Sequence, residues 1–276
     1  MKIALCNEVI GALPFERQCA FAAAIGYDGL EIAPFTLSDT PDRLSDAEIE
    51  HHRRVAGEHG VAITSLHWLL VKPDGLSITS RDAQVRARTV AFMARLVEMA
   101  ALLGARVLVH GSPKQRRVEA GDSVETALAH ATDCWHQVAE VAARHGVVYC
   151  IEPLARSETL VLNTLADAAA IVDDIGSPGL RTMIDCGAAS NTERDSPAAL
   201  IDRWLPSGHI AHVQVNDRNR RGPGEGADRF LPVFTALARH GYQGTVAIEP
   251  FEYVPDGPAT AARAIGYVRG VLEAVS

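Results

Sequence analysis

Four residues that bind cations well stand where successive apolar runs give way to polar ones: Glu152, Asp185, His212 and Glu249. Three carboxylates and an imidazole form the donor set of a hard or borderline divalent ion, and no thiolate joins them. Mn2+ is therefore expected first, with Mg2+ or Co2+ as alternatives. Four protein ligands around an octahedral ion leave two positions open, enough for adjacent oxygens of a sugar or hydroxyketone. The chemistry such a site supports is proton transfer next to a carbonyl, through a metal-bound enediolate. The ion would act as Lewis acid, with Glu152 and Glu249 as the groups that remove and return the proton. Taken singly, each residue has a plainer explanation. A lone glutamate at a strand end is usually a loop-facing charge, and a lone histidine in an apolar segment is as often a satisfied core residue. Four at successive strand ends would share one barrel mouth at heavy electrostatic cost unless a cation held them.

The elements that must position these residues are visible in a repeat. Ala143-Arg144-His145-Gly146 leads through an apolar run to Glu152-Pro153, and Ala238-Arg239-His240-Gly241 leads through another to Glu249-Pro250. Glycine just past a helix supplies the left-handed conformation a C-cap needs, and the apolar run after it reads as a strand buried on both faces. Proline then ends the pairing, which puts each glutamate where strand becomes loop. Strands are expected over residues 2–6, 29–33, 61–66 and 106–109, then at the runs that end in Glu152 and Asp185, the run that holds His212, and the run that ends in Glu249. Helical spacing fills the intervals, at residues 15–24, 44–59, 82–103, 123–144, from Thr164 or Asp167 to 175, 197–204, 230–240 and 260–274. Residues 71–81 read as a loop able to cover a mouth. Eight strands alternating with helices predict a (β/α)8 TIM barrel, a single domain over residues 1–276, with its chemistry at the C-terminal strand ends. No Gly-x-Gly-x-x-Gly follows the first strand, so a nucleotide-binding sheet has no support.

A net charge of -8 argues against a nucleic-acid partner. The apolar runs are too short to span a bilayer, and no secretion signal is visible. Cys6, Cys19, Cys134, Cys150 and Cys186 are scattered without a Cys-x-x-Cys pair, which fits a reduced, cytoplasmic protein. His67 and Trp68 at the third strand end and His110 at the fourth are further candidates for lining a substrate pocket, with barrel capping or core packing as the competing reading. Lys114, Arg116 and Arg117 read as a solvated charged loop, and Glu31 as half of a structural salt bridge. Arg218, Arg220 and Arg221 are better placed than that first basic cluster to meet an anionic group.

At these residues the chain resembles the xylose-isomerase-like sugar isomerases and epimerases, and most closely the ketose 3-epimerases acting on tagatose, psicose or fructose. The resemblance covers essentially the whole chain. It implies a Glu, Asp, His, Glu metal set at Glu152, Asp185, His212 and Glu249, a small sugar as substrate, and a homo-oligomer, dimer or tetramer. It also implies substrate contacts at Glu158, six residues past the first ligand, and at Arg218, six past the histidine. Residues 219–226 resemble the family's Arg-x-Pro-Gly-x-Gly loop. One position departs: a substrate-binding histidine is expected three residues past the aspartate ligand, where this chain has Ala188. That departure keeps a metal-dependent lyase open, of the inosose- or dehydroshikimate-dehydratase kind, because the same enediolate can expel a β-substituent. A phosphodiesterase resembling the apurinic endonuclease of this barrel would need further metal ligands and a basic face, and stands third.

Overall fold

The computed structural model describes residues 1–275. Its strands are β1 (Lys2–Cys6), β2 (Gly29–Ile32), β3 (Ala62–Leu66), β4 (Val107–His110), β5 (Val148–Ile151), β6 (Leu180–Asp185), β7 (Ile210–Val215) and β8 (Thr245–Ile248). Every neighbouring pair is parallel, and β8 returns to β1, closing the barrel in sequence order. The helices are α1 (Phe15–Ala24), α2 (Asp46–Glu58), α3 (Ala83–Leu103), α4 (Val124–His145), α5 (Leu165–Ile175), α6 (Cys186–Thr192), α7 (Pro197–Trp204), α8 (Leu231–Arg239) and α9 (Gly257–Val275). Strands covered on both faces need no polar alternation, which is why residues 107–109 of β4, all of β5 and residues 246–248 of β8 read as unbroken apolar runs.

Helix ends follow local chemistry. Ser45, Asp82, Ser123, Thr164 and Ser196 each accept a hydrogen bond from the first turn of the helix they precede. Gly146 ends α4 in the left-handed conformation at φ 65°, as the repeat predicts. The second copy differs in detail: His240 caps α8, and Gly241 takes the left-handed turn one residue later. Two other differences bear on function. β5 and β8 stop one residue short of Glu152 and Glu249, and α6 springs directly from Asp185 where only a loop is expected.

Register decides what faces the barrel axis. Val109 pairs with Cys150 and both pack with Met183, an apolar plug inside the barrel. With a side-chain period of two, Gly111, Glu152 and Asp185 stack directly above this plug, while His110 and Tyr149 face the helices. No helix among the described residues is long and apolar enough to cross a membrane, and all five cysteines are buried and unpaired.

Candidate metal and substrate site

Glu152, Asp185 and Glu249 converge at the C-terminal rim, with a carboxylate oxygen of each within 4.8 Å of the others. All three are buried, and no lysine or arginine among the described residues pairs with any of them. Backbone geometry holds the two glutamates although they lie past their strands: Glu152 N donates to His110 O and Glu249 N to Val215 O, each at 3.3 Å, extending the ladder by one step. Asp185 is held by its side chain. Its Oδ1 accepts from Ala188 N at 2.6 Å, capping α6, and its Oδ2 accepts from Asn216 Nδ2 at 2.9 Å. Gly111 makes room for the cluster, since a Cβ there would lie 2.1 Å from Glu152 Oε2.

Burial pushes the carboxyls of Glu152 and Asp185 well above the usual carboxylate range, and the negative charge of Glu249 adds to both. Glu249 is raised by burial too, but His67 offsets part of that. His67 Nδ1 and Trp68 Nε1 both donate to Glu249 Oε1, at 2.8 and 2.9 Å. The other nitrogen of His67 reaches Glu8 Oε2 at 2.9 Å. Burial works against a charged imidazole, yet Glu8 and Glu249 together raise its pKa well above the ordinary value. His67 and Trp68 thus both hold Glu249, His67 fully buried and Trp68 half-buried. Trp68 adopts a φ of 51° to do so and leans on Phe251, ring centroids 6.1 Å apart.

The structure does not bring His212 into the carboxylate cluster. It sits deeper in the barrel, in register with Met183 rather than with Asp185. Its Nε2 lies 2.6 Å from Glu31 Oε2, close but not aligned as a hydrogen bond. Glu31 is the hub of a buried network: it also accepts from Ser65 Oγ, from Cys6 Sγ at 3.3 Å, and from Gln214 Nε2 at 2.6 Å. Burial alone would raise the Glu31 pKa; His212 and His67 bring it well below the usual range. The structural salt bridge expected of Glu31 is therefore present, and its partner is the residue expected to bind metal.

His110 is likewise not a pocket residue. It faces the helix layer, where its Nδ1 accepts from Tyr149 Oη at 2.8 Å and Trp135 Nε1 at 3.2 Å, and burial holds its pKa well below normal. Arg116, expected on a solvated loop, is fully buried, and its guanidinium has no hydrogen-bond partner among the described residues. Burial lowers its pKa to about 10, against the opposing pull of Glu152 and Glu158.

Above the carboxylates opens a cavity of about 410 Å³, lined among others by Glu152, Asp185, Glu158, Asn216, Arg220 and Phe251. That volume lies in the range of small-molecule sites. Glu158 stands on the wall. Arg218 reaches the wall as well, but its guanidinium is committed to Asp228, Nε to Oδ1 at 2.7 Å. Arg220 is the arginine that bends over the mouth: its Nη1 is 3.7 Å from Glu158 Oε1, and its guanidinium carbon lies 4.5 Å from the centre of the Phe251 ring. The spacing from His212 points to Arg218 instead, and only the fold shows that Arg220 is the one that packs on Phe251 and nears Glu158. Ala188 lines the cavity at the start of α6.

A closed parallel barrel whose C-terminal rim gathers buried carboxylates defines a (β/α)8 protein with a candidate cation site. The chain belongs to the family described as Xylose isomerase-like TIM barrel, which it matches over residues 19–271. It is 30% identical over 232 residues to a D-psicose 3-epimerase of Agrobacterium fabrum, covering 83% of this chain and 76% of that one. A 3-dehydro-D-guloside 4-epimerase of Escherichia coli is 33% identical over 119 residues, 43% of this chain and 44% of its own. Among solved structures, that of a D-psicose 3-epimerase in the presence of D-fructose superposes with a TM-score of 0.84 over 99% of both chains at 24% identity, a likeness of fold.

Proposed function

We propose that this chain is a divalent-cation-dependent epimerase or isomerase of a small ketose or related keto-sugar. The observation that carries the reading is the pair Glu152 and Glu249, brought from β5 and β8 to one carboxylate cluster beneath a cavity of about 410 Å³. The cluster suits a cation on its own terms. Three buried carboxylates whose one close basic neighbour is His67, on Glu249, repel one another, and a hard divalent ion removes that cost. Glu152, Asp185 and Glu249 would hold the ion, and His212 joins them only by turning its ring away from Glu31. Such an ion, when bound, polarises a carbonyl and its neighbouring hydroxyl.

The remaining work falls to side chains. Glu152 borders the cavity and carries no side-chain donor among the described residues, which leaves it the freer of the two to take a proton from carbon. Glu249, fixed by His67 and Trp68, returns a proton from its own side of the substrate. Glu158 and Arg220 on the wall orient hydroxyls, and Phe251 offers an apolar face. The relatives named as ketose and sugar epimerases support the substrate class.

Ala188 favours a second reading. With a methyl where a hydrogen-bonding side chain would steady the sugar, loss of a β-hydroxyl to give a dehydrated ketone is the alternative fate. One experiment separates the two: incubation of the Mn2+-loaded protein with a panel of ketoses, keto-glycosides and inososes in D2O. Deuterium at the carbon next to the carbonyl, with a new epimer, is the expected result. A dehydrated product supports the lyase, and no exchange with any keto-sugar overturns the proposal.

A further inference from the structure

We infer that Gln214, through its amide oxygen, is a ligand of the cation site, and that Glu31 fixes the amide so that this oxygen faces the ion. The inference rests on the cation reading above and adds to its ligand set a residue outside the carboxylate cluster. β7 presents His212 and Gln214 on the same inward face, two residues apart, which separates them by about 6.6 Å along the strand. Asp185 pairs in register with Gln214, and Gln214 in turn with Ala247, two residues before Glu249. Gln214 therefore stands level with Asp185 and one inward step below Glu249, while His212 stands a layer lower.

The hydrogen bonds point the same way. Gln214 is completely buried; its Nε2 donates to Glu31 Oε1 at 2.6 Å, and its Oε1 has no donor at all among the described residues. A buried amide oxygen left unpaired costs about 1–3 kcal/mol. Reversing the amide would not help, because it would set Oε1 against a carboxylate that can only accept and turn the NH2 away from it. Glu31 is itself engaged by Ser65, Cys6, His212 and Gln214, so it orients the amide and is not free to ligate. The carboxylates of Glu152, Asp185 and Glu249 already demand a cation, and an amide carbonyl is a normal oxygen ligand of hard divalent ions. Coordination would satisfy a buried amide oxygen that no donor among the described residues reaches.

The test uses Mn2+ alone on the full chain after chelator treatment. Gln214→Ala should weaken Mn2+ binding by about 10-fold or more, the loss typical even of an outer-shell partner. Electron–nuclear double resonance in oxygen-17 water should then show one more water on the ion, in the place of the lost amide oxygen. Gln214→His offers a nitrogen from the same position and should add a directly bonded nitrogen coupling that the unaltered protein lacks. Mn2+ binding by the alanine variant as tight as before, an unchanged number of bound waters, or no added coupling in the histidine variant overturns the assignment and leaves the cation reading standing. Absence of Mn2+ binding by the unaltered protein overturns both.

Discussion

Gly111→Ala is the most direct probe of how the cluster is built. The added Cβ would lie 2.1 Å from Glu152 Oε2 and 3.2 Å from its carboxyl carbon, where 3.4 Å is ordinary contact. Either the carboxylate or the β4 tip must move by about 1 Å, and overpacking of this kind costs about 1–3 kcal/mol in a core. The stability loss should fall at the low end, because Glu152 borders a cavity into which it can swing. Function should suffer more. A displacement of about 1 Å in a reacting group is worth roughly 100-fold in rate. Thermal unfolding, Mn2+ titration and solvent-deuterium exchange on the same samples would show a small drop in Tm, weaker Mn2+ binding and a large loss of exchange. A variant that keeps full exchange while losing stability would refute the assignment of Glu152 as a base held in place by Gly111.

Glu152→Gln and Glu249→Gln should each abolish deuterium exchange while circular dichroism stays unchanged; exchange at the normal rate in either variant removes that residue from the reaction. Trp68→Phe deletes one of two donors to Glu249 Oε1, so kcat should fall severalfold with the fold retained, and an unchanged kcat would show that His67 alone suffices. Metal and pH are linked. Glu152 and Asp185 have pKa values raised by burial, so above the ordinary carboxylate range the folded apo chain holds protons that the unfolded chain has released. These groups therefore favour folding at low pH and lose that contribution as pH rises through their raised pKa values. The Tm gain on adding Mn2+ should be larger near pH 8 than near pH 5.5, reaching about 2.7 kcal/mol in stability at 100 times Kd. A gain independent of pH would count against proton displacement from these carboxylates.

The barrel was legible because its punctuation is strong: glycines past helices and Ile-Glu-Pro at strand ends mark the alternation without reference to packing. Glu152, Asp185 and Glu249 were legible for the same reason. His212 lies outside their cluster because two inward positions on β7 look alike in sequence, and the residue with the stronger metal chemistry is the deeper one. His110 failed on parity: one residue's difference in a strand turns a side chain from the cavity to the helix layer. α6 was missed because Cys186, Gly187, Ala188 and Ala189 carry no apolar stripe, and its start depends on Asp185 capping it. Arg116 follows Lys114 and Gln115 and precedes Arg117, so nothing local announces that it turns inward.

The two acidic groups assigned to proton transfer are not equivalent. One is clamped at a single oxygen by an imidazole and an indole, and the other lacks any such clamp. Two bases of unequal strength give an interconversion whose halves differ in their barriers. The deuterium isotope effect measured from one stereoisomer is then expected to differ from that measured from its epimer. Equal effects in both directions would mean that the clamp holds position without tuning basicity.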